Sequence, residues 1–165
     1  MKESSQTWKS NPRAAVASGI VLERLTVIAG GRRLLDQADA EFHSGEITLI
    51  VGPSGVGKSV LLRILAGLIQ REDTGVSYRG NVMVAGAANR AGDLGVVFQA
   101  FALFDELSPV ENVSFARSCS SSPTETSPRQ FLSNLKVPVD IPTSRLSGGQ
   151  RQRLAIARTL AFNPA

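Results

Sequence analysis

The stretch EITLIVGPSGVGKSVLLRILAGLI (Glu46–Ile69) reads as strand, glycine-rich loop and helix in direct succession. Glu46–Val51 is a short apolar run with β-branched residues, the pattern of a buried strand. Over Lys58–Ile69 the apolar residues Val60, Leu61, Ile64, Leu65 and Leu68 fall at helical spacing. Between them, Gly52, Gly55 and Gly57 permit positive φ, so consecutive backbone N–H groups can turn inward around an anion. The helix that follows points the positive end of its dipole at the same place.

That loop, Gly52-Pro53-Ser54-Gly55-Val56-Gly57-Lys58-Ser59, matches the P-loop pattern in full, and it sits in the strand-to-helix context that the pattern requires. It predicts nucleotide binding. Lys58 is expected to reach the β- and γ-phosphates, and the Ser59 hydroxyl to ligate Mg²⁺. The loop alone does not choose a function, because kinases, GTPases, helicases and transporters all use it.

On either side of this unit, Ile20–Val27, Ala38–Phe42, Asn81–Ala85 and Leu94–Phe98 read as further strands, with Gly30-Gly31 as a turn. Pro109–Arg117 reads as a helix with proline in its first turn, Ser118–Pro128 as a loop, and Pro128–Lys136 as a weaker helix. Val137–Thr143, with two prolines, should be irregular. Ser147–Phe162 reads as a helix capped by Ser147. The fold class expected is therefore α/β, with a β-rich half around one buried helix followed by a helical half.

Composition narrows the function. The chain has 165 residues, which suits one domain, and a net charge of +4 from scattered Lys and Arg residues; no basic stripe is present, so no nucleic-acid partner is expected. Cys119 and His43 are each the only residue of their type, which removes internal disulfides, cysteine zinc clusters and a Ser-His-Asp triad from consideration. The apolar runs are too short to cross a bilayer, and residues 1–19 lack the apolar centre of a signal peptide, so they read as a flexible lead-in. A cytoplasmic protein is expected.

A second constellation sharpens the reading. Leu146-Ser147-Gly148-Gly149-Gln150 places a serine cap and two glycines at the start of a helix, which makes a second exposed helix end suited to phosphate. With Arg151-Gln152-Arg153-Leu154-Ala155-Ile156-Ala157-Arg158 after it, the sequence resembles the ABC transporter ATPase family from about Ile20 to its last residue. The resemblance implies a P-loop core over residues 20–99 with an antiparallel β subdomain, an α-helical signature subdomain from about 100 to 150, and a signature helix over 147–162. It also implies ATP and Mg²⁺ as ligands and a head-to-tail dimer with a second ATPase subunit. In that dimer Ser147, Gly148, Gly149 and Gln150 of one subunit would cap the ATP held by the other.

Integral membrane subunits are the further partners that the resemblance implies, with the chain peripheral at the inner face of the membrane. Val96-Val97-Phe98-Gln99 looks like the family's Q-loop, which would give Gln99 a catalytic role near Mg²⁺ and the attacking water. Ala102–Val113 resembles importer ATPases, including those of phospholipid-trafficking systems, with Phe101, Leu103 and Phe104 as docking candidates. Arg151, Arg153 and Arg158 are expected on a solvated, ion-paired face.

Two departures stand out. Thr26–Gly31, where the family places an aromatic residue against adenine, holds none. The residues also stop before the family's Walker B aspartate and the glutamate that follows it, so the chain reads as C-terminally incomplete, with ATPase activity belonging to a longer parent. A non-catalytic nucleotide-binding relic and a soluble ABC protein unconnected with transport are the alternatives.

Overall fold

In this computed structural model the described residues are 19–73 and 75–164; apart from Gly19, the expected lead-in lies outside them. β1 (Ile20–Ala29) and β2 (Arg32–Phe42) form an antiparallel hairpin. Gly30 and Gly31 join them with φ of 56° and 75°. Positive φ at both turn residues gives the connection the twist of the strands it joins. β2 starts at Arg32 rather than at Ala38, because pairing with β1 overrides the polar composition of its first half.

β3 (Glu72–Asp73), β4 (Val76–Val84) and β5 (Ala87–Ala88) complete the antiparallel sheet. Its order is β2-β1-β4-β3, with β5 paired to β4. Asn81–Ala85, expected as a strand by itself, is mostly the end of β4.

A bulge kinks the middle of β1. The pairing with β2 and β4 shifts between Leu22 and Thr26, and Arg24 and Gln37 take φ of 48° and 44°. The Arg24 amide donates to Asp39 Oδ1 (2.7 Å) and the Gln37 amide to Thr26 Oγ1 (3.0 Å), so side chains replace the lost ladder bonds. Gly80 faces this bulge at φ 104°, and a Cβ there would stand 2.5 Å from the Arg24 carbonyl oxygen. Gly80→Ala is therefore expected to destabilise the chain by about 2 kcal/mol, since backbone must move to admit the methyl group. Urea denaturation measures it, and a loss within about 0.5 kcal/mol would mean that the bulge yields freely.

α1 (Lys58–Leu65) packs on the sheet, where Leu22, Leu25, Val27, Ile64, Leu65 and Ile69 form one buried core. The helix ends at Leu65 rather than Ile69. Gly67 at φ 67° turns the chain, the Leu68 amide donates to the Arg63 carbonyl, and Asn89 Nδ2 donates to the carbonyls of Ile64 and Leu65.

A second core lies among α2 (Pro109–Cys119), α3 (Pro128–Asn134) and α4 (Gly148–Phe162), built on Val113, Leu132, Leu146, Leu154, Ala157 and Ala161. Each of the three helices begins on a serine cap: Ser108, Ser127 and Ser147. In α2, Glu111 closes a capping box, and the bonds from Ser108 hold its carboxyl below the ordinary value.

Two expected strands are absent. Residues 46–51 and 94–98 pair with no strand among the described residues. Leu49 is 81% exposed and Val51 76%, so the apolar run that suggested a buried strand finds no cover. An extended segment without a ladder partner leaves its N–H and C=O groups unpaired, and the apolar pattern alone cannot supply one.

Candidate functional site

The loop between residue 51 and α1 has the shape its glycines predict. Gly52, Gly55 and Gly57 stand at φ of 155°, 77° and 107°. Gly57 is the residue at the helix entry, and its left-handed conformation leaves the first amides of α1 open toward the loop. A Cβ on Gly57 would stand 2.9 Å from Leu34 Cδ1, so glycine is also what lets the hairpin close under the loop.

Lys58 Nζ donates to the carbonyl oxygens of Gly52 and Pro53, both at 2.8 Å. The ammonium thus spans the ring of the loop from its helical end to its start. Ser54, Gly55 and Val56 lie exposed along the rim, and Ser59 is exposed beside Lys58 on the first turn of α1. The loop, the lysine and the hydroxyl are thereby assembled in one place.

Ser147–Gln150 forms a second, separate helix entrance. The Ser147 hydroxyl accepts from the Gln150 amide (3.4 Å), while Gln150 Oε1 accepts from the Ser147 amide (2.8 Å). Ser147, Gly148 and Gly149 are exposed, and no Cβ contact within 4 Å hems in Gly148. Among the described residues no hydrogen bond joins Gly52–Ser59 to Ser147–Gln150, and the two elements belong to different cores.

Gln99 is exposed in the segment that links the two cores. The Phe101 amide donates to Phe98 O (2.9 Å) and the Ala102 amide to Ala100 O (2.7 Å), so Gln99 sits within a tight turn. Phe101 and Ala102 both sit at positive φ, 61° and 49°.

The arginines of α4 differ from the expected solvated face. Arg151 does form an ion pair, with Asp105 at 2.7 Å, and it also donates to the Thr143 carbonyl at 3.2 Å. Arg158, however, is half-buried and donates to the carbonyls of Ala102 and Phe101, with its guanidinium 5.9 Å from the centre of the Phe104 ring. Burial lowers its pKa from the ordinary value. Arg153 has its Nε buried without a partner.

Of the three docking candidates, Phe104 is exposed and stacks edge-on against the exposed Phe115 at 5.1 Å. Leu103 packs against the helical core instead, and Phe101 is half-buried.

Sequence reasoning missed Asn112 and placed Arg158 on the wrong face. Asn112 is fully buried. Its Oδ1 accepts from the Phe104 amide (3.0 Å), and its Nδ2 donates to Phe104 O (2.9 Å), Leu107 O (3.3 Å), Ser108 O (3.2 Å) and Thr143 Oγ1 (3.3 Å). No sequence pattern marks it. Arg158 carried a signal, since it lies four residues after Leu154 on the stripe that buries Ala157 and Ala161.

Among the described residues no three of His, Cys, Asp and Glu converge on a point that could hold a metal ion. No helix among them is long and apolar enough to cross a membrane.

Comparison with known proteins points one way. The family model described as "ABC transporter" matches residues 35–165. The sulfate/thiosulfate import ATP-binding protein CysA of Nephroselmis olivacea is 37% identical over 150 residues, covering 88% of this chain and 43% of that protein. The protein of the same name from Rhodopseudomonas palustris is 41% identical over 145 residues, covering 82% of this chain and 41% of its own length. The chain thus spans less than half the length of these curated relatives.

Among solved structures, cbiO1 from Clostridium perfringens, part of the ABC transporter complex cbiONQ, superposes with a TM-score of 0.70 at 27% identity, covering 88% of this chain and 62% of that one. A dimeric bacterial ABC transporter cassette superposes with a TM-score of 0.67 at 29% identity, covering 88% and 70%.

Proposed function

The chain belongs to the ABC transporter family, and from that premise we propose that it is the ATP-holding part of a transport ATPase that works in pairs. Gly52–Ser59 of one copy and Ser147–Gln150 of another would close on one triphosphate. The observation that carries this reading is the pair of exposed helix entrances, each built to receive an anion and each seated on its own core. Within one chain no hydrogen bond among the described residues joins them. Across two chains placed head to tail each supplies what the other lacks.

The ligand roles follow from chemistry. Backbone N–H groups of the loop hold phosphate oxygens, and the Lys58 ammonium exchanges its two carbonyl partners for the β- and γ-oxygens. Mg²⁺ would draw on the Ser59 hydroxyl and the Gln99 amide oxygen, both neutral, with phosphate oxygens and water as the remaining ligands. That ion would neutralise charge on the phosphates. Hydrolysis needs a held water as well, and Gln99 is this chain's candidate for orienting it.

The exposed Phe104–Phe115 pair is the surface offered to integral membrane subunits, which would place the chain at the inner face of the membrane. The import proteins among its relatives favour the importer type.

Sedimentation tests the pairing. MgATP, or a non-hydrolysable analogue, is expected to convert the chain from monomer to dimer. GTP should do so at a concentration within about tenfold of ATP, because an aliphatic side chain such as Ile28 presents no hydrogen bond to distinguish the purines. A monomer that persists under saturating nucleotide would overturn the pairing.

A further inference from the structure

We propose that Arg158 is a positioning residue that locks the Gln99 loop to the helix beginning at Ser147, so that the two move as one body. The proposal rests on the reading of Gln99 given above, and the geometry extends it.

Four ties run between the helical core and residues 96–105. Arg158 donates to two consecutive carbonyls, Phe101 O and Ala102 O. The next residue, Thr159, shares its hydroxyl between Ala155 O (3.0 Å) and Val96 O (3.3 Å). Arg151 pairs with Asp105, and Asn112 bonds both backbone groups of Phe104. Gln99 is therefore exposed, yet its chain is anchored on both sides, and three of the four anchors stand on α4.

Arg158 holds the anchor with most to lose. Two successive non-glycine residues in the left-handed region are unusual, and each prefers to relax toward negative φ. Their conformation turns both carbonyls toward one point, where a planar guanidinium can meet them together. A lysine offers a single ammonium and cannot reproduce that fork. Arg158 also gives up part of its hydration at this position, which two charge-assisted bonds and the Phe104 ring offset. A solvated arginine on the same helix would leave the turn free to open.

Hydrogen exchange on the 165-residue chain tests this with Arg158→Lys, which keeps the charge and the apolar stem, and with Arg158→Gln as a second variant. The amides of Phe101 and Ala102 are expected to exchange about tenfold faster in both variants, the size of one lost charge-assisted bond. Leu61 and Ala66, in and after α1, should keep their wild-type rates. MgATP affinity measured in a cycle of wild type, Gln99→Ala, Arg158→Lys and the double variant should show effects that fail to add.

Unchanged exchange at Phe101 and Ala102, or an equal rise at Leu61 and Ala66, would overturn the proposal. If Gln99→Ala leaves MgATP affinity untouched while the turn still loosens in Arg158→Lys, the hold of Arg158 on the loop stands and the role given to Gln99 falls.

Discussion

Lys58→Ala is expected to weaken ATP binding about a hundredfold, equivalent to about 2.7 kcal/mol, which is the scale of a bond to a charged group. In the free chain its ammonium bonds the Gly52 and Pro53 carbonyls at 2.8 Å. Those are neutral acceptors at a surface open to water, so their loss should change folding stability by no more than about 1 kcal/mol. Phosphate oxygens are charged acceptors, and the same amine gains much more from them. Calorimetry at about 0.15 M salt separates the two effects, because screening reduces any contribution from distant charges. Lys58→Arg should recover little of the affinity, since a planar fork does not fit where a compact ammonium spans the loop. A loss below about threefold in Lys58→Ala would show that this lysine does not meet the phosphates.

Asn112→Ala is expected to cost about 3 kcal/mol of folding stability, the largest effect of any polar substitution considered. Asn112 is fully buried, and its amide serves Phe104, Leu107, Ser108 and Thr143. Truncation leaves the Phe104 N–H and the Leu107 carbonyl without partners in a place closed to water, while Phe104 O and Ser108 O keep only their backbone donors, Leu107 N and Asn112 N. Asn112→Asp should be at least as harmful. It would keep an acceptor for the Phe104 amide but bring a carboxylate against three carbonyl oxygens and a hydroxyl. Urea denaturation followed by circular dichroism measures both variants. A cost under about 1 kcal/mol for the alanine variant would mean that water enters and satisfies the site.

The contrast between these residues shows what the sequence could and could not tell. The shape of the Gly52–Ser59 loop was legible because glycine spacing, a lysine and a flanking amphipathic helix all constrain backbone geometry locally. The Ser147 cap was legible for the same reason: it forms its box within four residues. Asn112 was not, because its partners include Thr143, thirty-one positions away, and no periodicity encodes that contact. Arg158 was half-legible. Its spacing from Leu154 was on the page, yet it was expected on the solvated face, because the strained turn that gives it a purpose has no local signal.

The two missing strands fail for a different reason. Glu46–Val51 and Leu94–Phe98 have the composition of strands, but a strand is a property of two neighbours. Neither one pairs with a strand among the described residues. The hairpin of β1 and β2 shows the converse, since Arg32–Gln37 looks too polar for a strand and becomes one because β1 is there to pair with it.

The central claim is that the loop from Gly52 to Ser59 receives the phosphates of ATP, and amide chemical shifts under ATP titration test it most directly. The amides of Gly55, Gly57, Lys58 and Ser59 are predicted to move first and farthest, to saturate together, and to return when Lys58 is replaced by alanine. Shifts that cluster elsewhere, or a loop that stays silent at saturating ATP, would contradict the account.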